Sequence, residues 1–313
     1  MPPSSRHMEN QKSQNHVGMV AVVGRASVGK SSLMNAFLGE KVSIVSPVPQ
    51  TTRSAIRGIL TDERGQLVFV DTPGVHKAMS NLGKVMNRLA RASVEGCDVV
   101  LLVLDATQTA REEDLGWITR LLREEIPVFA ILNKIDDLTG EPPADWPAVW
   151  KKVAAEKGIA KEPEWFRVSA MTGEGMPELT DALFAKMPAG ELLFPEEMLS
   201  DYPRKLAVAD IIREKLFGVL REELPHSVAV WIETIVEKED GSWDVDAKIY
   251  VMKDSQKGIV LGEKGRLLRK VKRQAEAELA AIYEHPVRLD LWVKAEKKWT
   301  ENFWLLKKFG YVA

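Results

Sequence analysis

A glycine-rich segment near the N-terminus carries the clearest chemical pattern in the sequence. Residues 24–31 read G-R-A-S-V-G-K-S, which fits the phosphate-binding pattern G-x-x-x-x-G-K-[S/T]. In such a loop backbone N–H groups surround phosphate oxygens, the lysine reaches the β- and γ-phosphates, and the hydroxyl binds Mg²⁺. A chance glycine-rich turn is the alternative, and the position between an apolar run and a helix disfavours it. The predicted nucleotide contacts are Gly24, Arg25, Ala26, Ser27, Val28, Gly29, Lys30, Ser31 and Ser32.

A second segment, Asp71-Thr72-Pro73-Gly74, begins with a carboxylate and directly follows the apolar run 67–70. A carboxylate at the carboxyl end of a strand would lie beside the phosphate loop, where it suits a metal ion. The N–H of Gly74 could meet the γ-phosphate, which would make the next loop sensitive to that phosphate. A solvated turn is the alternative. We predict that all four residues line the nucleotide and that Asp71 shares Mg²⁺ with Ser31.

A third segment, Asn133-Lys134-Ile135-Asp136, follows the apolar run 128–132 and selects the base. Guanine offers two N–H donors to one carboxylate, and adenine has no such pair. At about 1.5–3 kcal/mol for each charged hydrogen bond, Asp136 favours GTP over ATP. Ser169-Ala170, after the next apolar run, can present backbone N–H groups to the guanine O6. These loops disfavour a P-loop ATPase or nucleotide kinase.

The elements that must position these loops alternate along residues 17–187. Apolar runs at 19–23, 67–70, 99–104, 128–132 and 165–168 are separated by helical stretches at 30–38, 81–95, 111–124 and 144–157. Alternating strands and helices predict a doubly wound α/β fold with a mostly parallel sheet. A chain of 313 residues favours two domains at roughly 150 residues each. The proline-containing segment 188–203 lacks periodicity, and we place a linker there.

The remaining segment, 204–313, predicts a smaller α+β domain. A helix at 204–221 precedes strands at 227–236 and 243–252, a glycine-flanked loop, a basic helix from 266 to about 284 and a strand at 287–293. Residues 253–273 hold eight basic and two acidic side chains, a positive patch that suits nucleic acid.

The loop Gly262-Glu263-Lys264-Gly265 lies between the paired strands and the basic helix, as in KH modules, where a G-x-x-G loop contacts the nucleic-acid backbone. A solvated basic helix face is the alternative. Glu263 opposes phosphate, and the nearby cations outweigh it. The predicted RNA contacts are Lys257, Ile259, Val260, Gly262, Glu263, Lys264, Gly265, Arg266 and Arg269.

Further segments resemble the Era family of bacterial GTPases: D-V-V-L-L-V-L-D at 98–105, P-Q-T-T-R at 49–53, I-I-R-E-K-L at 211–216, L-P-H-S-V at 224–228 and L-W-V-K at 291–294. The resemblance implies an α/β P-loop GTPase domain followed by a type II KH domain. It implies catalysis by Lys30, Thr52 and Gly74, with Thr52 joining Mg²⁺; Thr51 is the competing choice. It also implies binding to the 3′ end of 16S ribosomal RNA and a role in 30S subunit assembly. A GTP-dependent RNA chaperone whose hydrolysis is incidental is the second candidate.

Two positions depart from the expected catalytic pattern. The family usually has Pro-Asn where this chain has Ala26-Ser27, and that Asn is associated with potassium-assisted hydrolysis in related GTPases. Potassium dependence is therefore left open. Val75 stands where Ras-like GTPases have the Gln that orients the attacking water, so intrinsic hydrolysis should be slow and should depend on electrostatic stabilisation.

The composition and the lengths of the apolar runs indicate the class of protein and its expected location. The chain is 45% hydrophobic and 28% charged with a net charge of −2, which is typical of a globular protein. It lacks a signal region and a run of about 18 apolar residues, so we expect a cytoplasmic protein. We also expect a monomer. The resemblance leaves peripheral contact with the inner face of the cell membrane open. Residues 1–16 are polar and are expected to be disordered or a cloning remnant. Met8 is a candidate for the natural start, and the sequence leaves that open.

Overall fold

The structure, a computed structural model, describes residues 15–46, 48, 51–74 and 81–312. The predictions for Met8, for Val75 and for most of the segment 1–16 lie outside these residues. The first domain is built on a six-stranded sheet with the order β2-β3-β1-β4-β5-β6. Its strands are β1 (His16–Val23), β2 (Ile56–Asp62), β3 (Gly65–Asp71), β4 (Val99–Asp105), β5 (Val128–Asn133) and β6 (Glu164–Arg167).

The central strands are buried on both faces, as their sequences require. Every residue of β3, β4 and β5 is buried, and the run V-V-L-L-V-L in β4 is typical of a parallel strand covered on both sides. The parallel, doubly wound prediction is confirmed for five strands. Strand β2 was missed, and it pairs antiparallel with β3 at the sheet edge. Its mixed sequence I-R-G-I-L-T-D has no long apolar run to reveal it.

Helices cover both faces of this sheet. They are α1 (Lys30–Leu38), α2 (Asn81–Ala92), α3 (Glu112–Leu121), α4 (Trp146–Lys157) and α5 (Met176–Lys186). Val20 and Val22 pack with residues of α1 and α5, whereas the alternate Ala21 and Val23 pack with residues of α2, α3 and α4. The period-2 alternation of strand side chains therefore feeds two separate cores. Helix α5 was not predicted.

The chain on either side of the sheet is more ordered than the sequence suggested. Strand β1 begins at His16, inside the segment expected to be disordered, because His16 pairs with Gly65 of β3 and also bridges to Ala189. The predicted linker runs along the edge strand β2, where the N–H of Ile59 donates to the Leu199 carbonyl at 2.9 Å. The side-chain oxygen of Gln66 accepts hydrogen bonds from the N–H groups of Leu193 and Phe194 at 2.9 and 3.0 Å.

The C-terminal half forms a three-stranded sheet of order β7-β8-β9 with helices packed on both faces. Its elements are α6 (Arg204–Val219), α7 (Leu224–Ser227), β7 (Ala229–Glu237), β8 (Trp243–Val251), α8 (Asp254–Leu261), α9 (Arg266–Tyr283), β9 (Val287–Ala295) and α10 (Phe303–Lys308). The predicted α-β-β-α-β order is present. Helices α7, α8 and α10 were missed, and α8 is the one that leads into the G-x-x-G loop.

Candidate functional site

The phosphate-binding loop joins β1 to α1 in a backbone conformation that only glycine adopts easily. Gly24 and Gly29 have φ values of 147° and 96°, in the region disfavoured for L-residues. A Cβ on Gly29 would lie 2.3 Å from the side-chain nitrogen of Asn133. The loop therefore needs glycine both for its turn and for its close approach to the base-reading segment.

Lys30 begins α1 and is buried in this loop. Its Nζ donates a 2.8 Å hydrogen bond to the carbonyl of Arg25. Burial lowers the pKa of Lys30 to about 8, although the nearby carboxylate of Asp71 opposes that shift. Arg25 is itself held from behind, since its Nε donates to the buried Asp114 at 3.1 Å. Asp114 lies in the first turn of α3 and was not recognised from the sequence.

Ser31, Thr52 and Asp71 meet at one point, as predicted for a metal site. The Ser31 hydroxyl lies 2.7 Å from Asp71 Oδ2 and 2.9 Å from the Thr52 hydroxyl. Thr51 is turned away, because its hydroxyl donates to the Val48 carbonyl at 2.5 Å. This geometry supports Thr52 over Thr51 as the switch threonine.

The donor set fits Mg²⁺, which prefers hard oxygen ligands. Asp71 is fully buried, and its Oδ1 has no hydrogen-bond partner within the described part of the chain. Burial raises the pKa of this carboxyl above its usual range, which is the cost that a divalent cation would offset. Ser43 also donates to Asp71 Oδ2 at 3.0 Å, a support that the sequence did not reveal.

The base-reading segments enclose a cavity of about 730 Å³ whose lining includes Asp136 and Ala170. Asn133 lies between the loops: its Nδ2 donates to the carbonyl of Val28 at 3.0 Å, and its Oδ1 accepts from the N–H of Ala170 at 3.1 Å. Asp136 is exposed at this cavity. The carboxylate is thus open to a base.

Two further contacts brace the base-reading loops. The ammonium of Lys134 contacts the Ser27 carbonyl at 2.8 Å and Asp105 at 2.6 Å. Asp105 was not predicted as a site residue. The Ser169 hydroxyl accepts from the N–H groups of Met171 and Thr172, which shapes the turn beside Ala170.

Gly74 approaches the phosphate loop closely. A Cβ there would lie 2.6 Å from Ala26 Cα. Thr72 anchors the segment, because its hydroxyl donates to the Val22 carbonyl at 3.0 Å. A cavity of about 430 Å³ is lined by Lys30, Ser31, Thr52 and Gly74 together. The predicted phosphate, metal and switch residues therefore share one space.

The G-x-x-G loop forms a 3-10 turn at Glu263–Gly265 between α8 and α9. Gly262 has φ 70°, and a Cβ there would lie 2.6 Å from the Cβ of Leu267. Glu263, Lys264, Arg266 and Arg269 are exposed around the turn. The loop is therefore a tight backbone feature with exposed cations around it.

The structure separates the two apolar residues predicted to contact RNA. Ile259 is 52% exposed on α8 beside the basic loop. Val260 is fully buried in the core of the C-terminal half, so the prediction of a direct side-chain contact for Val260 is wrong. Consecutive helical residues differ by about 100° in direction, and on α8 that difference puts Val260 in the core and Ile259 at the surface. Leu261, 39% exposed, extends the apolar surface instead.

Comparison with known proteins identifies the family. The model for a 50S ribosome-binding GTPase matches residues 19–134, and the KH domain model matches residues 223–300. GTPase Era of Trichlorobacter lovleyi is 40% identical over 294 residues, which cover 94% of this chain and 97% of the relative. The chain belongs to the Era family of GTPases. GTPase Era of Thermoanaerobacter sp. is 41% identical over 299 residues, with coverages of 94% and 96%.

Solved Era structures share the whole architecture. A variant of Aquifex aeolicus Era bound to GDP and AlF4⁻ gives a TM-score of 0.86 at 34% identity, covering 95% of this chain and all of that chain. Era in complex with MgGDPNP and nucleotides 1506–1542 of 16S ribosomal RNA gives 0.87 at 34% identity, with 96% and 100% coverage. The chain is thus a GTPase with a C-terminal KH domain. Within the described residues, every helix is too short or too polar to cross a membrane.

Proposed function

We propose that this Era-family GTPase binds the 3′ end of 16S ribosomal RNA through its KH domain and acts in assembly and maturation of the 30S subunit. The observation that carries the proposal is the joining, in one chain, of a complete GTP site to an exposed basic G-x-x-G loop. GTP hydrolysis then ends the interaction with the particle. An Era relative that is 34% identical has been solved with nucleotides 1506–1542 of this RNA.

We propose that Lys30, Ser31, Thr52, Asp71 and Gly74 carry the hydrolysis. The Lys30 ammonium and the loop N–H groups neutralise charge that builds on the β- and γ-phosphate oxygens. Ser31, Thr52 and Asp71 would hold Mg²⁺, which supplies further positive charge to the same oxygens when bound. The lining of the cavity at Gly74, within the described residues, contains no carboxylate, amide or imidazole to orient water, and Val75 follows Gly74 in the sequence. We therefore propose a slow intrinsic rate.

We propose that hydrolysis by this chain does not depend on potassium, a question that the sequence leaves open. The family position associated with potassium-assisted hydrolysis carries Ser27, whose short hydroxyl side chain lacks the amide group of Asn. Equal hydrolysis rates in potassium and sodium chloride would support this, and faster hydrolysis in potassium would contradict it.

We propose that RNA contacts the loop cations and the exposed apolar edge of α8. Lys264 is the sharpest probe, because it is exposed at the centre of the loop and lies outside the GTP site. Lys264→Asp should weaken binding of an RNA corresponding to nucleotides 1506–1542 by about tenfold or more at low salt and leave GTP affinity unchanged. Lys152→Asp, the same change at an exposed position on α4, is the matched control.

Fluorescence anisotropy with the labelled RNA measures this binding. Equal RNA affinity for Lys264→Asp and Lys152→Asp would contradict the assignment of the loop. Turnover with and without the RNA separates the switch from the chaperone: stimulation by the RNA that Lys264→Asp abolishes supports coupling, whereas a constant rate favours incidental hydrolysis.

We further propose that the protein acts as a cytoplasmic monomer on the 30S particle, with peripheral membrane contact as the alternative location. Sedimentation of cell extracts tests this, because a 30S-bound protein moves with the particles and a membrane-bound protein moves with vesicles. Light scattering of the purified chain tests the monomer.

A further inference from the structure

The segment that carries Thr52 is attached to the C-terminal half at three residues around it, Thr51, Arg53 and Ser54. The Thr51 carbonyl accepts a 2.9 Å hydrogen bond from Nη2 of Arg213, on α6. Arg53 is fully buried, and the Ser54 hydroxyl donates to the Gly310 carbonyl at 2.7 Å. Thr52 is thus flanked on both sides by contacts to the other domain.

Arg53 makes the deepest of these contacts. Its Nη1 donates to the Val228 carbonyl at 2.7 Å, and its Nη2 donates to the Pro225 carbonyl at 3.1 Å. The guanidinium also lies 5.6 Å from the Tyr311 ring centre and 5.8 Å from that of Trp299. A planar fork with two carbonyl acceptors and aromatic walls holds an arginine in one orientation, which lysine cannot reproduce.

We propose that Arg53 is a positioning residue for GTP hydrolysis: anchored in the KH half, it holds the neighbouring Thr52 hydroxyl at the metal site. The C-terminal half thereby completes the GTPase site. The inference rests on the proposed metal role of Thr52, because an anchor beside a residue without a role would only join the domains.

The alternative is that Arg53 only stabilises the interface. The two roles of Arg53 predict different effects of a substitution on nucleotide preference. Holding Thr52 favours the nucleotide that carries a γ-phosphate and leaves GDP untouched, since a ligand shifts an equilibrium only by its differential affinity. A merely structural role would lower stability without changing the preference.

Arg53→Lys is the test, with Arg57→Lys as the matched control. Arg57 lies on β2, is half exposed, and pairs with Asp201 away from the nucleotide. Arg53→Lys should raise the Kd of a non-hydrolysable GTP analogue by about tenfold, the factor for one lost charged hydrogen bond, while the Kd of GDP stays constant. Arg57→Lys should change neither constant. Hydrogen exchange of residues 51–54 without nucleotide should rise only in Arg53→Lys.

A double-mutant cycle with Thr52→Ala decides whether Arg53 acts through Thr52. If it does, Arg53→Lys has no further effect on the analogue Kd or on kcat once Thr52 is alanine. The same loss in both backgrounds would overturn the positioning role and leave the metal site standing. No effect of Thr52→Ala by itself would instead overturn the metal assignment.

Tyr311→Phe is a less disruptive substitution at the same interface, for use if Arg53→Lys does not fold. It removes the hydroxyl that Nη1 of Arg213 contacts at 2.9 Å and keeps the ring beside Arg53. Because Arg213 also donates to the Thr51 carbonyl, a weaker preference for the GTP analogue over GDP supports the positioning of Thr52 by the C-terminal half, and an unchanged preference overturns it.

Discussion

The predicted role of Asp136 is that one exposed carboxylate decides the choice of base. It stands at the base cavity while Asn133 ties the surrounding loops together. Asp136→Asn replaces an acceptor pair with an amide, so the affinity for guanine nucleotides should fall by about tenfold or more and xanthine nucleotides should gain. Competition binding with GTP and XTP checks this. Tight GTP binding with no gain for XTP would contradict the assignment.

Lys30 gives a second prediction, concerning pH. Its pKa of about 8 without nucleotide means that the ammonium is largely protonated below that pH and loses its proton above it. Phosphate favours the charged form, so binding above about pH 8 must take up a proton, and GDP affinity should fall by up to about tenfold per pH unit.

Titration calorimetry of GDP in two buffers of different ionisation enthalpy measures that uptake. We expect clearly more uptake at about pH 8.5 than at about pH 7.5. In Lys30→Arg the guanidinium keeps its proton, so this difference should shrink. Equal uptake in both proteins would remove Lys30 as its source.

At the scale of elements, one glycine inside α8 can accept a side chain, whereas the glycine directly after α8 cannot. Gly262 has φ 70° and a Cβ there would collide with Leu267, whereas a Cβ on Gly258 meets nothing within 4 Å. Gly258→Ala should therefore raise the free energy of unfolding by about 0.5–1 kcal/mol, because alanine suits a helix interior.

Gly262→Ala should lower the free energy of unfolding by about 1 kcal/mol or more and weaken RNA binding, because it strains the loop. Urea denaturation and RNA anisotropy measure both effects. Similar behaviour of the two variants would show that the loop conformation is unimportant. The stricter replacement Gly262→Asp would combine this strain with its added charge, so the alanine pair is the cleaner experiment.

At the scale of the whole molecule, α2 links the halves through an aromatic cluster. Met86 is fully buried with Tyr250, Trp299, Phe309 and Tyr311 of the C-terminal half. Both the segment with Thr52 and the helix after Gly74 therefore contact the same domain. Met86→Lys should break this contact, because burying an unpaired charge costs several kcal/mol.

Scanning calorimetry should then show one main unfolding transition in the wild type and two separated transitions in Met86→Lys, one for each domain. Leu115→Lys on α3, an already exposed position away from the interface, is the control and should keep a single transition. A single transition in Met86→Lys would show that the halves are coupled mainly through other contacts.

The loops that follow the buried strands could be located from the sequence. Gly24 to Ser31, Asp71 to Gly74 and Asn133 to Asp136 are contiguous, and apolar runs mark the strands that position them. Because parallel strands end at one edge of a sheet, local pattern was enough to predict that these loops meet.

Features that depend on partners far away in the chain could be recognised only in the folded protein. Strand β2 is a strand because β3 offers it an edge, and Val260 is buried because the core covers that side of α8. Arg53 reads as an ordinary surface cation until the carbonyls of Pro225 and Val228 are seen around it. The local spacing of residues does not show which face of an element is covered or which backbone carbonyls can accept a hydrogen bond from another segment. Both depend on the packing of segments that are far apart in the chain.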